Sequence, residues 1–295
     1  AEDGIRDHCV TGVQTCALPI CLGGYNTWAA RSAGLEVTAE PRIVSTNLGL
    51  LEQVCESPRR PYYETEGPAA TAVLQKNPVA YWRFSDSEFP ICKDSSPHHH
   101  HATYESDLCF FLKGPQDRAY TQADQVNRCV HFAGGRVRAS IPPNTDSYSV
   151  VINLWNGMPN DARDTSGWFF SRDHAHAISR SGEHFGVGGK ATTPGCLIFQ
   201  FGNQNAIVGK TVLERWRWYQ VTIIRESDRL RVFLDDAAEP EIDTPLSSNP
   251  STVITTHFIG GRSDNQDNWQ GSIDEVAYFG RTLDDAERKS LSPHR

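Results

Sequence analysis

Four consecutive histidines, His98, His99, His100 and His101, form the densest run of chemically capable side chains in the chain. Imidazole is the commonest side-chain metal ligand. Neighbours in an extended segment point in alternate directions, so at most two of the four can share one ion without a special turn. The competing expectation is a loop whose last histidine packs or hydrogen-bonds near residues 102–104. His174 and His176 lie two apart, which on a strand puts both on one face. The carboxylates offer less. A retaining glycosidase needs two carboxyl groups about 5 Å apart. Glu241 and Asp243 in EPEIDTPL alternate correctly, but Pro245 takes the next in-phase position and carries no acid. Asp274 and Glu275 are adjacent in SIDEV, so a regular strand sends them to opposite faces. No G-x-S-x-G elbow, H-E-x-x-H helix or phosphate-cradling glycine loop is present. No residue is assigned a catalytic role, and the domain that carries these groups is expected to be non-catalytic.

Composition narrows the classes further. The chain has 295 residues, 38% of them hydrophobic and 10% aromatic, enough apolar material for a packed core. A formal net charge of −8 without a Lys/Arg stripe excludes nucleic acid as a partner, because phosphate neutralisation needs a basic face. Arg59 and Arg60 are the densest basic spot. No apolar run approaches the roughly 20 residues of a membrane-spanning helix. Residues 1–20 resemble an in-frame translation of a sequencing-library adapter and are set aside from fold reasoning. The remainder is then expected to be a fragment, with residues 21–55 the remnant of an upstream domain. Two of the eight cysteines, Cys9 and Cys16, drop out with the first segment. Cys21, Cys55, Cys92, Cys109, Cys129 and Cys196 remain, an even set that leans toward disulfides in an oxidising, extracellular setting. Six cysteines allow fifteen pairings. Cys92 with Cys109 or Cys129 is the first expectation, and buried free thiols are the alternative.

The elements that position these groups read as strands. Three prolines and several charges in residues 56–68 mark a linker, drawn over 56–76, although residues 69–77 carry a brief helical period ending at Pro78. From residue 77 to 290, short strands alternate with Gly, Pro, Asn, Asp and Ser clusters, as in an antiparallel sandwich. Strands are predicted at 79–84, 129–132, 149–154, 168–172, 184–187, 196–201, 218–225, 229–235, 255–260 and 272–279. In RLRVFLDD, Leu230, Val232 and Leu234 share one face while Arg229, Arg231 and Phe233 share the other. Trp82, Trp155, Trp216 and Trp218 are read as strand residues of the core. TLDDAERKSL reads as a short final helix, with Thr282 as cap and Asp285 at the capping-box position.

Several blocks, in order, resemble the LamG-like jelly rolls of the concanavalin A-like lectin/glucanase superfamily. NPVAYWRF is similar to the first strand, KDSSPHHHHATY to the turn and short strand after it, and VHFAG to the strand entering the sandwich. YSVVINLW resembles the long core strand, WRWYQVTIIRESDRLRVFLDD the central hairpin, and WQGSIDEVAYFGRTLDDAE the closing block. Asp236 stands where the family often has glycine, so the hairpin turn must be made by another route. The resemblance implies an all-β, two-sheet antiparallel jelly roll. It also implies a calcium ion at the rim, for which Asp94 and Asp274 are the candidates, Asp274 being expected to point the same way as Val276 and Tyr278. The glucanases of the superfamily carry Glu, Asp and Glu on one strand as E-x-D-x-x-E, a triad absent here. The function implied is a carbohydrate-binding or adhesion module of a secreted multidomain protein, with an extracellular glycan or glycoprotein as partner. Trp269 and Trp168 are the candidate stacking rings, with Asn265, Asp267 and Asn268 as polar partners. The alternatives are a targeting accessory of an extracellular hydrolase, and a structural protein-interaction sandwich without sugar affinity.

Overall fold

The computed structural model describes residues 67–86, 90–121, 126–142, 147–174, 176–246 and 254–292. Residues 1–20, residues 21–55 and most of the stretch read as a linker lie outside them. The described chain runs α1 (Pro68–Gln75), β1 (Ala80–Trp82), β2 (Ile91–Cys92), β3 (Ala102–Tyr104), β4 (Leu108–Lys113), β5 (Arg128–Ala133), β6 (Val137–Ser140), β7 (Tyr148–Asn156) and β8 (Thr165–Arg172). It continues through β9 (Glu183–Gly188), β10 (Cys196–Phe201), β11 (Ile207–Val212), β12 (Trp218–Arg225), β13 (Arg229–Leu234), β14 (Ile242–Pro245), β15 (Thr256–Ile259), β16 (Gln270–Phe279) and α2 (Asp285–Ser290). Two antiparallel sheets result. The first has the order β14-β13-β12-β7-β16-β5-β4, with β1 also on β16, and the second β11-β10-β9-β8-β15-β6-β3-β2. This is the jelly-roll sandwich the sequence predicts.

Alternation builds the core between the sheets. Tyr219, Val221 and Ile223 of β12 and Leu230, Val232 and Leu234 of β13 point inward, as do Val150, Ile152 and Leu154 of β7. Phe185 and Phe199 meet them from the second sheet at a centroid distance of 4.9 Å from each other. The outer face of the first sheet is covered instead of solvated. Ala70 and Val73 of α1, with Leu283 and Leu291 flanking α2, pack on Tyr81, Val151, Ala277 and Phe279. Helix α1 lies within the stretch read as a linker, yet it belongs to this packed face. The cap of α2 is Asp284, not Thr282. Its carboxylate accepts from the Glu287 amide while Glu287 accepts from the Asp284 amide, a reciprocal box that fixes the first turn. Between β13 and β14 the left-handed residue is Asp235 (φ 52°), whose short acid tolerates that region and accepts from the Gln220 amide.

Strand β16 organises the first sheet. It pairs β7 along one side, and on the other it pairs β5 through Gln270–Ile273 and then β1 through Val276–Tyr278. A bulge separates the two registers, with Glu275 at φ 52°. Ile273, Val276 and Tyr278 face the core, whereas Ala277 and Phe279 face outward. The extra residue places Asp274 and Glu275 together on the outer side. The expectation that Asp274 points with Val276 and Tyr278, and Glu275 oppositely, is therefore overturned by the bulge.

The cysteines also differ from expectation. Cys92, Cys109, Cys129 and Cys196 are buried, and none of them forms a disulfide. Cys92 lies in the second sheet and the other two candidates in the first, across a core that holds sheets about 10 Å apart. Cys109 and Cys129 are on neighbouring strands but out of register, opposite His131 and Leu112 respectively.

One buried charge cluster ties the sheets together at the end of the sandwich where β7 begins. Glu183 accepts from the Tyr148 hydroxyl at 2.7 Å, Arg172 Nη1 at 3.0 Å and Arg225 Nε at 2.9 Å. Arg172 also lies 4.3 Å over the Tyr148 ring, and that ring stacks on Tyr278. Truncating Glu183 would leave two guanidinium groups buried without their shared counter-ion. Glu183→Gln is expected to cost about 3–5 kcal/mol in urea unfolding. A loss below about 1 kcal/mol would show that the cluster does not hold the sheets.

Candidate functional site

The segment 261–269 joins β15 to β16 and packs against the outer face of the second sheet. It brings the five expected ligand residues close together, three of them buried. Trp269 is fully buried, edge-on to Phe169, and Trp168 and Asn268 are buried with it. Trp168 and Asn268 form a backbone bridge, and the Trp168 amide donates to the Asp267 carbonyl. The Asn268 side chain donates to the Gly134 carbonyl and to Asn265 Oδ1, and accepts from the Arg262 amide. The Arg262 guanidinium covers the Trp168 ring at 4.8 Å and is itself held by Asp264. Only Asn265 and Asp267 keep exposure, both at positive φ in the turn. The loop is a plug because its aromatic and amide groups are spent on its own closure.

Beneath that plug, His184 and Asp173 are both fully buried, with Nε2 and Oδ2 3.6 Å apart, too long for a hydrogen bond. Ser263 Oγ and the Ser179 amide donate to the same Asp173 oxygen. The serine thus serves the acid and not the imidazole, so no activated nucleophile arises.

The acids read from the sequence are engaged separately. Asp94 accepts from the Tyr81 and Ser96 amides, Ser96 Oγ and the His100 amide at 2.7–2.8 Å. Those four donors fill its lone-pair sites, which fits a clamp on the turn and not a cation ligand. Asp274 Oδ2 accepts from Asn127 Nδ2 at 2.6 Å, while buried Oδ1 has no hydrogen-bond partner among the described residues. Gly114 lies so close that a Cβ there would sit 2.8 Å from Oδ2. Glu275 takes Arg83 Nη2 at 2.9 Å and the Tyr81 hydroxyl. Asp94 and Asp274 are not united, and among the described residues no three carboxylate, imidazole or thiol groups are placed to hold an ion. Glu241 accepts from the Lys210 and Thr211 amides of edge strand β11, and Asp243 pairs with Arg229. Neither faces a shared reacting centre.

The histidine run is not extended but lies in a turn, with His99 at φ 55°. His98 stacks on His100 at 6.0 Å, and His99 faces His101 at 5.9 Å. His101 Nδ1 accepts from the Asp94 amide, and the His100 carbonyl accepts from Trp82 Nε1, so the turn is locked to the core. His174 and His176 lie beyond the end of β8, with His176 at φ 75°, so strand spacing does not govern them.

The exposed aromatic surface lies at the opposite end of β7. Trp216 is 65% exposed, the most exposed large hydrophobic residue described. Trp155 and Trp218 are cross-strand partners on the outer face of the first sheet and are half-buried. The core assignment of Trp216 fails because β12 begins only at Trp218, leaving Trp216 in the turn. Its backbone is at φ 65°, a conformation that costs a bulky residue about 1–2 kcal/mol. Its amide donates to the Asn156 carbonyl at 3.0 Å, and Arg215 Cζ lies 4.4 Å over the ring. An indole held outward on a strained turn is a feature that packing alone does not require. The signal was present in the sequence as arginines on both sides of the tryptophan.

A profile of the Laminin_G_3 family, described as concanavalin A-like lectin/glucanases superfamily, matches residues 133–287, more than half of the chain. The chain belongs to the Laminin_G_3 family. No protein of curated function matches this Laminin_G_3 chain. Among solved structures it is similar to domain 4 of AbnA, a GH43 extracellular arabinanase from Geobacillus stearothermophilus in complex with arabinotriose. That likeness has a TM-score of 0.52 at 11% identity, covering 73% of this chain and 98% of that one. The binding domain of Paraclostridial Mosquitocidal Protein 1 gives 0.54 at 11% identity, over 74% of this chain and 52% of that one. The Botulinum neurotoxin serotype G binding domain gives 0.50 at 13%, over 73% and 50%. The Laminin_G_3 chain thus spans about half the length of the two toxin chains. These likenesses show the fold.

Titration of the Laminin_G_3 domain follows from its buried groups. Burial pushes His131 and His184 down from 6.5 to about 4, so both are neutral when folded. Their folded values are depressed, so the stability they contribute is present above pH 6.5 and is lost as pH falls toward 4. Asp274 moves oppositely. Burial and then the Glu275 charge hold its carboxyl well above 3.8. Its contribution is full below that value and is lost as pH rises through the raised one. Asp274→Asn is expected to match wild type in melting midpoint at pH 4 and to exceed it at pH 8. A lower midpoint at pH 8 would show that the carboxylate is needed in its charged form.

Proposed function

We propose that this Laminin_G_3 domain is a non-catalytic carbohydrate-binding module of an extracellular protein, and that it takes its glycan on the Trp216 rim. The exposed indole at positive φ carries the reading, since sugars present an apolar face that stacks on such a ring. Half-buried Trp155 and Trp218 extend the surface. Membership in a superfamily of lectins and glucanases supports the reading, as does likeness to a domain solved with arabinotriose. That domain belongs to an extracellular arabinanase, which supports an extracellular setting and an accessory role beside a hydrolase.

Trp216→Gly separates function from fold, because glycine removes the ring and relieves the left-handed strain. Its melting midpoint is expected to equal or exceed that of wild type. On a glycan array, read with calcium and again with chelator, the variant is expected to lose at least about tenfold in signal, as for loss of one stacking ring. Wild-type binding that survives the substitution unchanged would remove the Trp216 rim as the site. A wild-type array without any binding would favour a protein-interaction sandwich.

A further inference from the structure

We propose that the glycan taken at the Trp216 rim is anionic, with a carboxylate or sulfate group received by Arg215 and Arg217. The proposal rests on the glycan reading above and names the chemical class of its ligand. In the sequence the exposed ring is flanked by two arginines, Arg215 and Arg217. Arg215 is half-buried and pinned in place. Its Nη2 donates to the Gly157 carbonyl at 2.9 Å, its Cζ lies over the Trp216 ring, and its buried Nε has no hydrogen-bond partner among the described residues. Arg217 is exposed, with Cζ 4.8 Å from the ring centroid of the inward-facing Tyr219.

Neither guanidinium is paired with a carboxylate among the described residues, although acids outnumber bases in the chain by 36 to 28. Ten other arginines do pair with a carboxylate. Two neighbouring cations left without acids, one of them against the exposed ring, make a receptor for an anionic group carried by a sugar. Guanidinium forks match carboxylate and sulfate oxygens bidentately, and such charge-assisted bonds are about twice as strong as those between neutral groups. Glu214 is the one carboxylate within residues 213–217 and opposes the anion. The net negative charge of the rest of the molecule is screened beyond about 8 Å at physiological salt, so local charge decides.

Matched ligand pairs test the class. Calorimetry with oligogalacturonate against its methyl ester, and with sialyllactose against lactose, compares acid and neutral forms of one scaffold. At least one acidic member is expected to bind about tenfold or more tightly than its neutral counterpart, and to weaken as salt rises. Arg215→Gln with Arg217→Gln is expected to abolish that preference while the melting midpoint holds. Glu214→Gln is expected to strengthen acid binding. Equal, salt-independent affinity for both members of each pair would overturn the anionic class and leave the glycan reading standing. Absence of binding to these probes together with a blank glycan array would overturn both.

Discussion

A single inserted residue in β16 sets the terms for the first sheet. A regular strand can keep one neighbour on each side, yet β16 has β7 on one flank and, in succession, β5 and β1 on the other. The bulge at Glu275 absorbs the change of register where β5 gives way to β1. Its consequence is electrostatic as well as geometric. Two adjacent acids that a regular strand would separate are put side by side in a buried place. Arg83 and Tyr81, both next to or within β1, answer the Glu275 charge, so the strand that makes the bulge necessary also compensates it. Asp274 is left with one amide donor and with burial, which favours its protonated form.

This constraint also explains where the sequence was legible. The hairpin of β12 and β13 was readable from period alone, since one face is buried along its whole length, and β10 and β12 fall where they were predicted. The partner change along β16 is non-local. Nothing in SIDEV announces it, because the reason lies in Tyr81 and Arg83, nearly two hundred residues away. Aromatic residues posed the same difficulty. Trp269 and Trp216 both flank strands, but one is sealed under Phe169 and the other stands outward, and the difference lies in loop packing. An even number of cysteines gave no distances, and the sheets then put Cys92 out of reach of its expected partners.

The acids that invited a catalytic or calcium reading share a pattern. Asp94 holds the histidine turn, Glu241 occupies amides on the edge strand β11, and Asp173 gathers a serine hydroxyl and two loop amides. Each carboxylate stitches a loop or an edge to the sandwich. An edge strand with free amides invites pairing with another chain, so Glu241 also blunts a route to aggregation.

The two helices carry an architectural consequence. Both pack on one outer face, near the start of β7, where the Ser149 hydroxyl accepts from the Leu283 amide. The tryptophan rim lies at the other end of the same strand, about 23 Å away at the rise of an extended chain. Helix α2 leads away from that start, since the Leu291 carbonyl accepts from Gln220 Nε2, and Gln220 lies opposite Asn153, two residues from Trp155.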